Sequence, residues 1–279
     1  MVTRQQPNTI LIRIHSRDVA LLGAPFAILR AMKDLRRELS SLYHESSKDP
    51  TERGLRPMPP REHWPKEWTT LYFKTYPRLP RIVLPEAPAH GGIDVLAAIG
   101  KRASGRLAAT GPVSIEKLST ILTYSCGIFK SENGHVHRAQ PSGGGRYPLE
   151  TYALVMRGSA ELPSGVYHYD PRGHALDVLE ERPFKREDIA ELFTYEWVRD
   201  MSLAIIVTAV FARSYMKYGE RGYRHIHHEA GHIGQNLYLA SGAVGMHCCT
   251  MSGTIDEAIE KLLDIDGVEE SLVYGAVLS

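Results

Sequence analysis

The sequence predicts an α+β fold in which helices flank a mainly antiparallel central sheet. Short strand-like segments follow one another through tight turns within residues 151–179. The most strand-like apolar run covers residues 203–210, and a final strand is expected over 271–278. Because these strands mix with helices without the strict alternation of a parallel fold, antiparallel pairing is favoured.

The composition indicates a globular protein with a substantial core. The chain has 279 residues, of which 43% are hydrophobic, and this length allows one or two domains. Its 33 Lys and Arg against 32 Asp and Glu give a net charge of +1. This balance argues against a nucleic-acid binder or a membrane-surface protein. No apolar run reaches the roughly 18 residues of a membrane-spanning helix, so we expect neither nucleic acid nor membrane as a partner.

The cysteines and the first residues indicate a cytoplasmic protein. Cys126, Cys248 and Cys249 are too few for a disulfide framework, and two of them are adjacent. The first seven residues lack the basic-then-apolar pattern of a signal peptide. A reducing cytoplasm is therefore the expected location.

Residues 1–80 are predicted to form an N-terminal extension that wraps a following domain, 81–279. A strand is expected over 9–14, and leucines at helical spacing predict a helix over 20–44. Residues 45–90 are polar and rich in proline but carry several aromatic side chains, which favour packing against another surface. These aromatic residues are Trp64, Trp68, Tyr72, Phe73 and Tyr76.

The remaining elements are predicted from residue 92 onward. A short helix is expected over 92–99, and a longer one over 115–126 is bounded by Ser114 and Gly127. Residues 245–253 are expected to form a short segment that ends in a turn. The antiparallel strands are predicted over 151–156, 166–169 and 176–179. The later helices are predicted over 186–193, 213–218, 224–243 and 256–263.

One stretch, from Arg138 to Glu150, organises the rest of the chain. Its three consecutive glycines, Gly143–Gly145, contribute no packing and cost backbone entropy. Such a run is kept where the backbone passes close to another group, or where its N–H groups converge on an acceptor. Arg146 adds a second basic residue before the core strand. The spacing alone allows a cradle for an anionic or flat cofactor, and equally a Gly-rich surface turn.

The segment from His228 to His232 matches the zinc motif H-E-x-x-H on a predicted helix. This spacing places two imidazoles on one helical face, with the Glu as general base. No third ligand follows at the expected spacing, where Gln235 and Tyr238 stand instead, and Gly231 lowers the helix propensity. With 13 histidines in the chain, a chance match is also more frequent. A zinc metallopeptidase stays an alternative, and no residue is assigned as a metal ligand.

Lys217 and Tyr218 are candidates for acid–base chemistry. Three arginines, Arg213, Arg221 and Arg224, surround them in sequence, and positive neighbours would lower the pKa of a general base. The alternative is a solvated, basic helix end.

A second basic segment, Arg102-Ala-Ser-Gly-Arg106, is compact and polar. Two guanidinium groups and one hydroxyl within five residues suit a phosphate group. The alternative is a charged surface loop, and the spacing does not choose between them.

Taken together, these segments resemble the FMN-dependent nitroreductase superfamily. More narrowly, they resemble its SagB-type dehydrogenases, which oxidise peptide thiazolines and oxazolines to thiazoles and oxazoles. The residues that carry the resemblance are Arg102-x-Ser104-x-Arg106, the run Pro141-Ser-Gly-Gly-Gly-x-Tyr-Pro148, the hairpin Gly165-Val-Tyr-His-Tyr-Asp-Pro171, the pair Lys217-Tyr218 and the segment Gly231-His-x-Gly-Gln-Asn236. The resemblance covers residues 95–279 well.

The resemblance implies a nitroreductase-like fold, an entwined homodimer and FMN bound at the dimer interface. Lys217 and Tyr218 would take or orient a substrate proton while hydride passes to the flavin. Backbone N–H groups near residues 252 and 253 would stabilise the reduced flavin, which dioxygen would reoxidise. The residues implied in cofactor binding are Arg102, Ser104, Arg106, Pro141, Ser142, Gly143, Gly144, Gly145, Thr250, Met251, Ser252 and Gly253.

The resemblance also implies a peptide substrate, brought by a cyclodehydratase partner for which the N-terminal extension would be a docking surface. Two features depart from the family pattern. The chain ends at residues 274–279 without the basic residue that many nitroreductases place on the phosphate, and Thr250 replaces a proline often seen in the flavin turn. A non-catalytic, flavin-binding subunit of a biosynthetic complex is a further alternative.

Overall fold

The computed structural model describes residues 39–48, 59–89, 93–131 and 136–279. The chain forms two compact units, Met1–Glu52 and Arg53–Ser279. In the first unit, residues 39–46 are helical, and the strand predicted over 9–14 lies outside the described residues, as does the predicted helix before residue 39. The second unit takes in residues 59–80, and the predicted organisation of the whole extension stays a prediction. All that follows concerns the second unit.

Seven strands form the central sheet in the order β1-β6-β5-β4-β7-β9-β8, and every neighbouring pair is antiparallel. A separate hairpin joins β2 to β3. The strands are β1 Arg81–Val83, β2 Ile128–Lys130, β3 Val136–Arg138, β4 Leu149–Val155, β5 Gly165–Asp170, β6 Ala175–Glu181, β7 Leu203–Val210, β8 Cys248–Met251 and β9 Glu270–Leu278. The predicted antiparallel α+β architecture is confirmed.

Seven helices surround the sheet in the described part of the second unit. They are α1 Lys66–Thr69, α2 Val95–Lys101, α3 Ile115–Cys126, α4 Arg186–Leu192, α5 Ala212–Tyr218, α6 Gly222–Ala243 and α7 Asp256–Leu263. The helix predicted over 92–99 begins later, because the Asp94 side chain accepts hydrogen bonds from the backbone N–H groups of residues 96 and 97. None of the described helices is long and apolar enough to cross a membrane.

The short segment over 245–253, which was predicted to end in a turn, contains an edge strand that was not predicted. Residues Cys248–Met251 pair with β9, with Cys249 opposite Val277. The two adjacent cysteines point to opposite faces of the sheet, Cys248 into one core cluster and Cys249 into the other. Both are buried free thiols, as is Cys126, so all three cysteines act as packing residues.

Both faces of the sheet are covered, which explains the long apolar run in β7. On one face, α3 and α6 pack over alternate residues of β4 and β7, whereas α4 and α7 cover the other residues on the opposite face. A central strand that is buried on both sides needs apolar residues at every position. The sequence 203–210 therefore shows no alternation.

Candidate functional site

Helix α6 positions two groups of predicted site residues, one toward each end. We call the first the glycine cluster, comprising Ser142–Gly145, Lys217, Tyr218 and His225. We call the second the hydroxyl cluster, comprising Arg102, Ser104, Arg106, Tyr238 and Thr250. His225 and Tyr238 are 13 residues apart on α6, so at 1.5 Å per residue the clusters are separated by about 20 Å along the helix.

The glycine run of the glycine cluster is a tight loop. Gly144 and Gly145 have φ angles of 61° and 64°, in the left-handed region that favours glycine. The Tyr147 N–H donates to Ser142 Oγ at 2.8 Å, and the Arg138 N–H donates to Tyr147 Oη at 3.1 Å. These two bonds close the loop at its base.

Gly144 is the point at which the loop meets the Lys–Tyr pair. A Cβ atom at this position would overlap Tyr218 Oη and would lie 2.9 Å from Lys217 Nζ. A Cβ atom at Gly143 would similarly lie 3.3 Å from the side chain of His225. The absence of side chains therefore allows the loop to contact α5. Two segments that the sequence singled out separately are brought together here.

Lys217 and Tyr218 have pKa shifts in opposite directions. Burial lowers the pKa of Lys217, and the positive charges of Arg146 and Arg61 lower it further. Burial raises the pKa of Tyr218, so its phenol stays protonated and can donate a hydrogen bond. The expectation that Arg213 would act on this pair is wrong, because its buried guanidinium forms an ion pair with Glu150.

The two arginines that flank the glycine run are structural. Arg146 is 1% exposed and donates through Nε to the carbonyl of Arg213 and through Nη1 to the carbonyl of Trp68. Arg138 is also buried, and its Nη1 donates to the carbonyl of Leu149. Both guanidinium groups donate hydrogen bonds to backbone carbonyl groups. The two arginines therefore stabilise the loop and do not form a cationic surface for a ligand.

The hydroxyl cluster is organised by one phenol. Tyr238 Oη lies 2.8 Å from Ser104 Oγ and 3.1 Å from Thr250 Oγ1, and it accepts a hydrogen bond of 3.0 Å from the Thr250 N–H. In addition, the Gly105 N–H donates to the carbonyl of Cys248 at 2.9 Å. The Arg102–Arg106 loop and strand β8 are thus held together through α6.

Two cations of the hydroxyl cluster are exposed. The Arg102 guanidinium lies 5.1 Å from the ring centroid of Tyr238, and that of Arg106 lies 5.1 Å from the ring centroid of Trp197. Neither forms an ion pair with a described carboxylate. A cavity of about 390 Å³ between α2 and α6 is lined by Arg102 and Tyr238. The Arg102 guanidinium beside the Ser104 hydroxyl suits an anion such as phosphate.

The other predicted cofactor residues have mixed surroundings. Met251 is buried in the core, and Ser252 and Pro141 are exposed. A Cβ atom at position 253 would overlap the Tyr195 ring, so close packing requires Gly253. Their role in binding a cofactor stays a prediction.

The H-E-x-x-H segment is divided between two environments. His228 and His232 are exposed, whereas Glu229 is 1% exposed and accepts a hydrogen bond from Gln140 Nε2 at 3.2 Å. Burial raises the pKa of Glu229 to about 7, against the opposing effects of Ser142 and Gln140. Within the described ranges, no three His, Cys, Asp or Glu side chains are grouped to hold a metal ion. The geometry therefore gives the metallopeptidase alternative no support.

Sequence reasoning missed the residues that connect the predicted segments. Tyr238 is 134 residues from Ser104, and nothing local marks it as a partner. Trp64 and Trp68 do carry a hint, because aromatic side chains in a polar, proline-rich segment favour packing against another surface. Their partner, α5, is not evident from the spacing.

Comparison with known proteins gives a consistent result. A family model described as the Nitroreductase family matches residues 99–278. The Methanocaldococcus jannaschii protein designated nitroreductase MJ1384 is 30% identical over 165 residues, which are 59% of this chain and 81% of that protein. Among solved structures, a nitroreductase from Anabaena variabilis has a TM-score of 0.62 and 29% identity, covering 86% of this chain and 45% of that chain.

Two further relatives are peptide-processing proteins by name. The trifolitoxin-processing protein TfxB of Rhizobium leguminosarum bv. trifolii is 29% identical over 175 residues, and the microcin B17-processing protein McbC of Escherichia coli is 28% identical over 147 residues. The matches cover 60% and 48% of this chain, but only 47% and 50% of those proteins, so the chain matches about half the length of each. One chain in the structure of the E. coli microcin synthetase McbBCD complex shares the fold, with a TM-score of 0.53 at 19% identity over 96% of this chain and 98% of that chain.

Proposed function

The chain belongs to the Nitroreductase family, and from this premise we propose that it is an FMN-dependent oxidoreductase that oxidises peptide thiazolines or oxazolines to thiazoles or oxazoles. The observation that carries the proposal is the contact of Gly144 with Lys217 and Tyr218. It places a candidate base and a candidate donor directly on the loop that would cradle the flavin. The similarity to TfxB and McbC supports a peptide substrate from the biosynthesis of a modified peptide.

The residues of the hydroxyl cluster fit the anionic end of FMN. Arg102 and Arg106 are exposed cations without a described acidic partner, and Ser104 offers a hydroxyl on the Arg102 side. These three residues would hold the phosphate, and the glycine run would lie against the ring system. When bound, FMN would supply the acceptor for the hydride that leaves the substrate.

Lys217 is the group best suited to take the substrate proton. Oxidation of an azoline removes hydrogens from two adjacent ring atoms, one of them as a proton that needs a base. The lowered pKa of Lys217 increases the fraction of neutral amine near neutral pH, whereas the raised pKa of Tyr218 keeps its phenol a donor. In this scheme Lys217 Nζ accepts the proton, and Tyr218 Oη orients the substrate.

The proposal includes a homodimer, which the distance between the clusters supports. Their residues on α6 are about 20 Å apart along the helix, which favours a flavin shared between two copies of the chain. The hydroxyl cluster of one copy would therefore face the glycine cluster of the other. Helix α2 supports this arrangement, because Val95, Leu96 and Ile99 are 60%, 75% and 51% exposed, an apolar face typical of an interface. A cyclodehydratase partner and a cytoplasmic location, in keeping with three free thiols, complete the proposal.

A visible absorption spectrum and two variants test the proposal. We expect the purified protein to show flavin bands that bleach on reduction. Lys217→Ala and Tyr218→Phe should keep these bands but should lower the turnover of an azoline peptide by about 100-fold or more, the usual contribution of a general base. Lys117→Ala and Tyr124→Phe, at exposed positions on α3, are matched controls that should retain activity.

Three outcomes would contradict the proposal. A colourless protein with one zinc ion per chain would favour the metallopeptidase. A flavin-loaded protein that turns over nothing but stimulates its partner enzymes would favour the non-catalytic subunit. Full activity of both Lys217→Ala and Tyr218→Phe would remove these residues from the catalytic role.

A further inference from the structure

Residues 59–70 lie against the helix that carries the candidate base. This segment contains a 3₁₀ turn, Arg61–His63, followed by α1. Trp68 Nε1 donates to the carbonyl of Met216 on α5 at 2.9 Å. From the glycine loop, Arg146 Nη1 donates to the carbonyl of Trp68 at 2.7 Å. The segment is therefore hydrogen-bonded both to α5 and to the loop that contacts Lys217.

The two tryptophans of this segment, which we call the tryptophan clamp, face Lys217. Lys217 Nζ lies 3.9 Å from the ring centroid of Trp64 and 5.9 Å from that of Trp68. The two rings are arranged edge to face, with centroids 6.1 Å apart. Trp64 is itself fixed, because its Nε1 donates to the carbonyl of Pro59 at 2.7 Å. The Lys217 amino group thus lies against the faces of fixed aromatic rings.

Other contacts do not explain the position of Lys217. Among the described residues, Lys217 forms no ion pair with a carboxylate, and the charged groups that act on it are Arg146 and Arg61, both cations. Tyr218 Oη and Lys217 Nζ both lie next to Gly144 of the glycine loop. A lysine has a long and flexible side chain, so without an acidic partner only the rings and the loop can hold Nζ in place.

We propose that Trp64 and Trp68 are positioning residues of the active site, which hold Lys217 Nζ above Gly144 and exclude water from it. This inference rests on the proposed function of Lys217 as the base. It makes Trp64 and Trp68 a part of the site, although the nitroreductase match begins only at residue 99. Lys217 Nζ is then held in position only when residues 59–70 pack against α5.

Nuclear magnetic resonance of the lysine side chains tests the position of Lys217 directly. A ring at 3.9 Å from Nζ should shift the signals of the Lys217 ε-CH₂ group upfield, and Lys217→Arg assigns these signals. We expect the ring-current shift to be lost in Trp64→Ala and largely kept in Trp64→Phe. Glu67→Ala, at an exposed position on α1, is the matched control and should leave the signals unchanged.

Turnover of the azoline peptide supplies the second readout. Trp64→Ala should lower kcat by about tenfold or more and should raise the apparent pKa of the basic group in the pH profile, because burial is the first cause of its lowered pKa. Trp64→Phe should restore most of the rate. A purely structural role would lower the thermal stability of Trp64→Ala without moving the pH profile.

The two readouts separate failure of this inference from failure of the proposed function. A wild-type Lys217 signal at an ordinary, unshifted position would overturn the clamp, as would full turnover in a Trp64→Ala variant that has lost the shift. If the flavin-loaded wild type oxidises no azoline, the proposed function fails. The resonance data would then still show the tryptophan clamp around Lys217, but the clamp would have no role in azoline oxidation.

Discussion

The glycine cluster and the hydroxyl cluster share one helix, but their cationic side chains differ in solvent exposure. In the glycine cluster, Lys217 is enclosed by the rings of Trp64 and Trp68 and by the glycine loop. In the hydroxyl cluster, Arg102 and Arg106 are exposed, and each lies over one aromatic ring. Both arrangements use aromatic neighbours, but only Lys217 is also partly buried.

This difference indicates two kinds of chemistry. An amine that is enclosed without an acidic partner loses protons more readily, which suits the transfer of a proton. A guanidinium group stays charged at every accessible pH, and exposed guanidinium groups are free to bind an anion. The comparison therefore assigns proton transfer to the glycine cluster and anion binding to the hydroxyl cluster.

The largest effect on turnover is expected from adding a side chain at Gly144. Gly144→Ala should lower turnover by about 100-fold or more, because its Cβ would displace Tyr218 Oη and Lys217 Nζ from their positions. The positive φ adds a stability cost of about 1 kcal/mol. Steady-state kinetics and thermal unfolding measure the two effects separately.

Gly245→Ala is the control for backbone strain. Gly245 has a φ of 70°, and nothing lies within 4 Å of a Cβ at that position. It should therefore lose a similar amount of stability and keep its turnover. If both variants lost turnover equally, the close approach of the loop to α5 would not be the reason for Gly144.

A second prediction concerns the buried carboxyl beneath the glycine cluster. The pKa of Glu229 rises from 4.5 to about 7 on folding because of burial. Between these values the folded state keeps a proton that the unfolded state has released, so the free energy of unfolding falls as pH rises. The total fall is on the order of 3 kcal/mol and is complete above pH of about 7. Glu229→Gln should lack this fall.

Urea unfolding of the apoprotein at about pH 5 and pH 8 measures the effect. The difference between wild type and Glu229→Gln should change between the two pH values, and Glu161→Gln, at an exposed position, should show no such change. Parallel behaviour of wild type and Glu229→Gln would mean that this carboxyl is not held in its protonated form.

The smallest effect is expected in the hydroxyl cluster. Tyr238→Phe removes the hydroxyl shared by Ser104 and Thr250 but keeps the ring beneath Arg102. We expect a loss of FMN affinity of about tenfold, equivalent to about 1.4 kcal/mol, with turnover of the loaded protein nearly unchanged. Fluorescence titration of the apoprotein with FMN measures the affinity.

Tyr124→Phe is the control for removal of a phenol from the surface. Tyr124 Oη donates to the carbonyl of Pro88 at 2.6 Å, away from both clusters. Unchanged FMN affinity in Tyr238→Phe would show that the hydroxyl cluster does not organise the anionic half of the site.

Much of the fold was predictable because its signals are local. The apolar runs of β4 and β7 and the helical spacing of α3 and α6 appear in the structure within a few residues of their predicted bounds. The resemblance to nitroreductases of the SagB type is confirmed by the family match and by the similarity to TfxB and McbC. The edge strand β8 was missed because Cys248–Met251 is short and owes its conformation to pairing with β9.

The charges of the site were the least predictable feature. Arg146 resembles a ligand-binding residue in sequence, but the structure buries it among carbonyl groups. Glu150 and Glu229 are both buried glutamates, yet their pKa values move apart. Burial would raise both, but His168 and Arg213 lower the pKa of Glu150 to about 2. At Glu229 the opposing effects of Ser142, Gln140 and Arg138 do not offset burial, and its pKa rises to about 7.

By itself, the sequence determined which segments are strands and helices, where glycine had to stand, and which family pattern the chain carries. These properties depend on periodicity and on backbone conformation, both of which neighbouring residues decide. Only the tertiary structure decided that Gly144 meets Tyr218, that Ser104 meets Tyr238, and that Lys217 lies against Trp64. Such contacts depend on sheet order and helix packing, so distant segments acquire a shared chemistry only after the chain has folded.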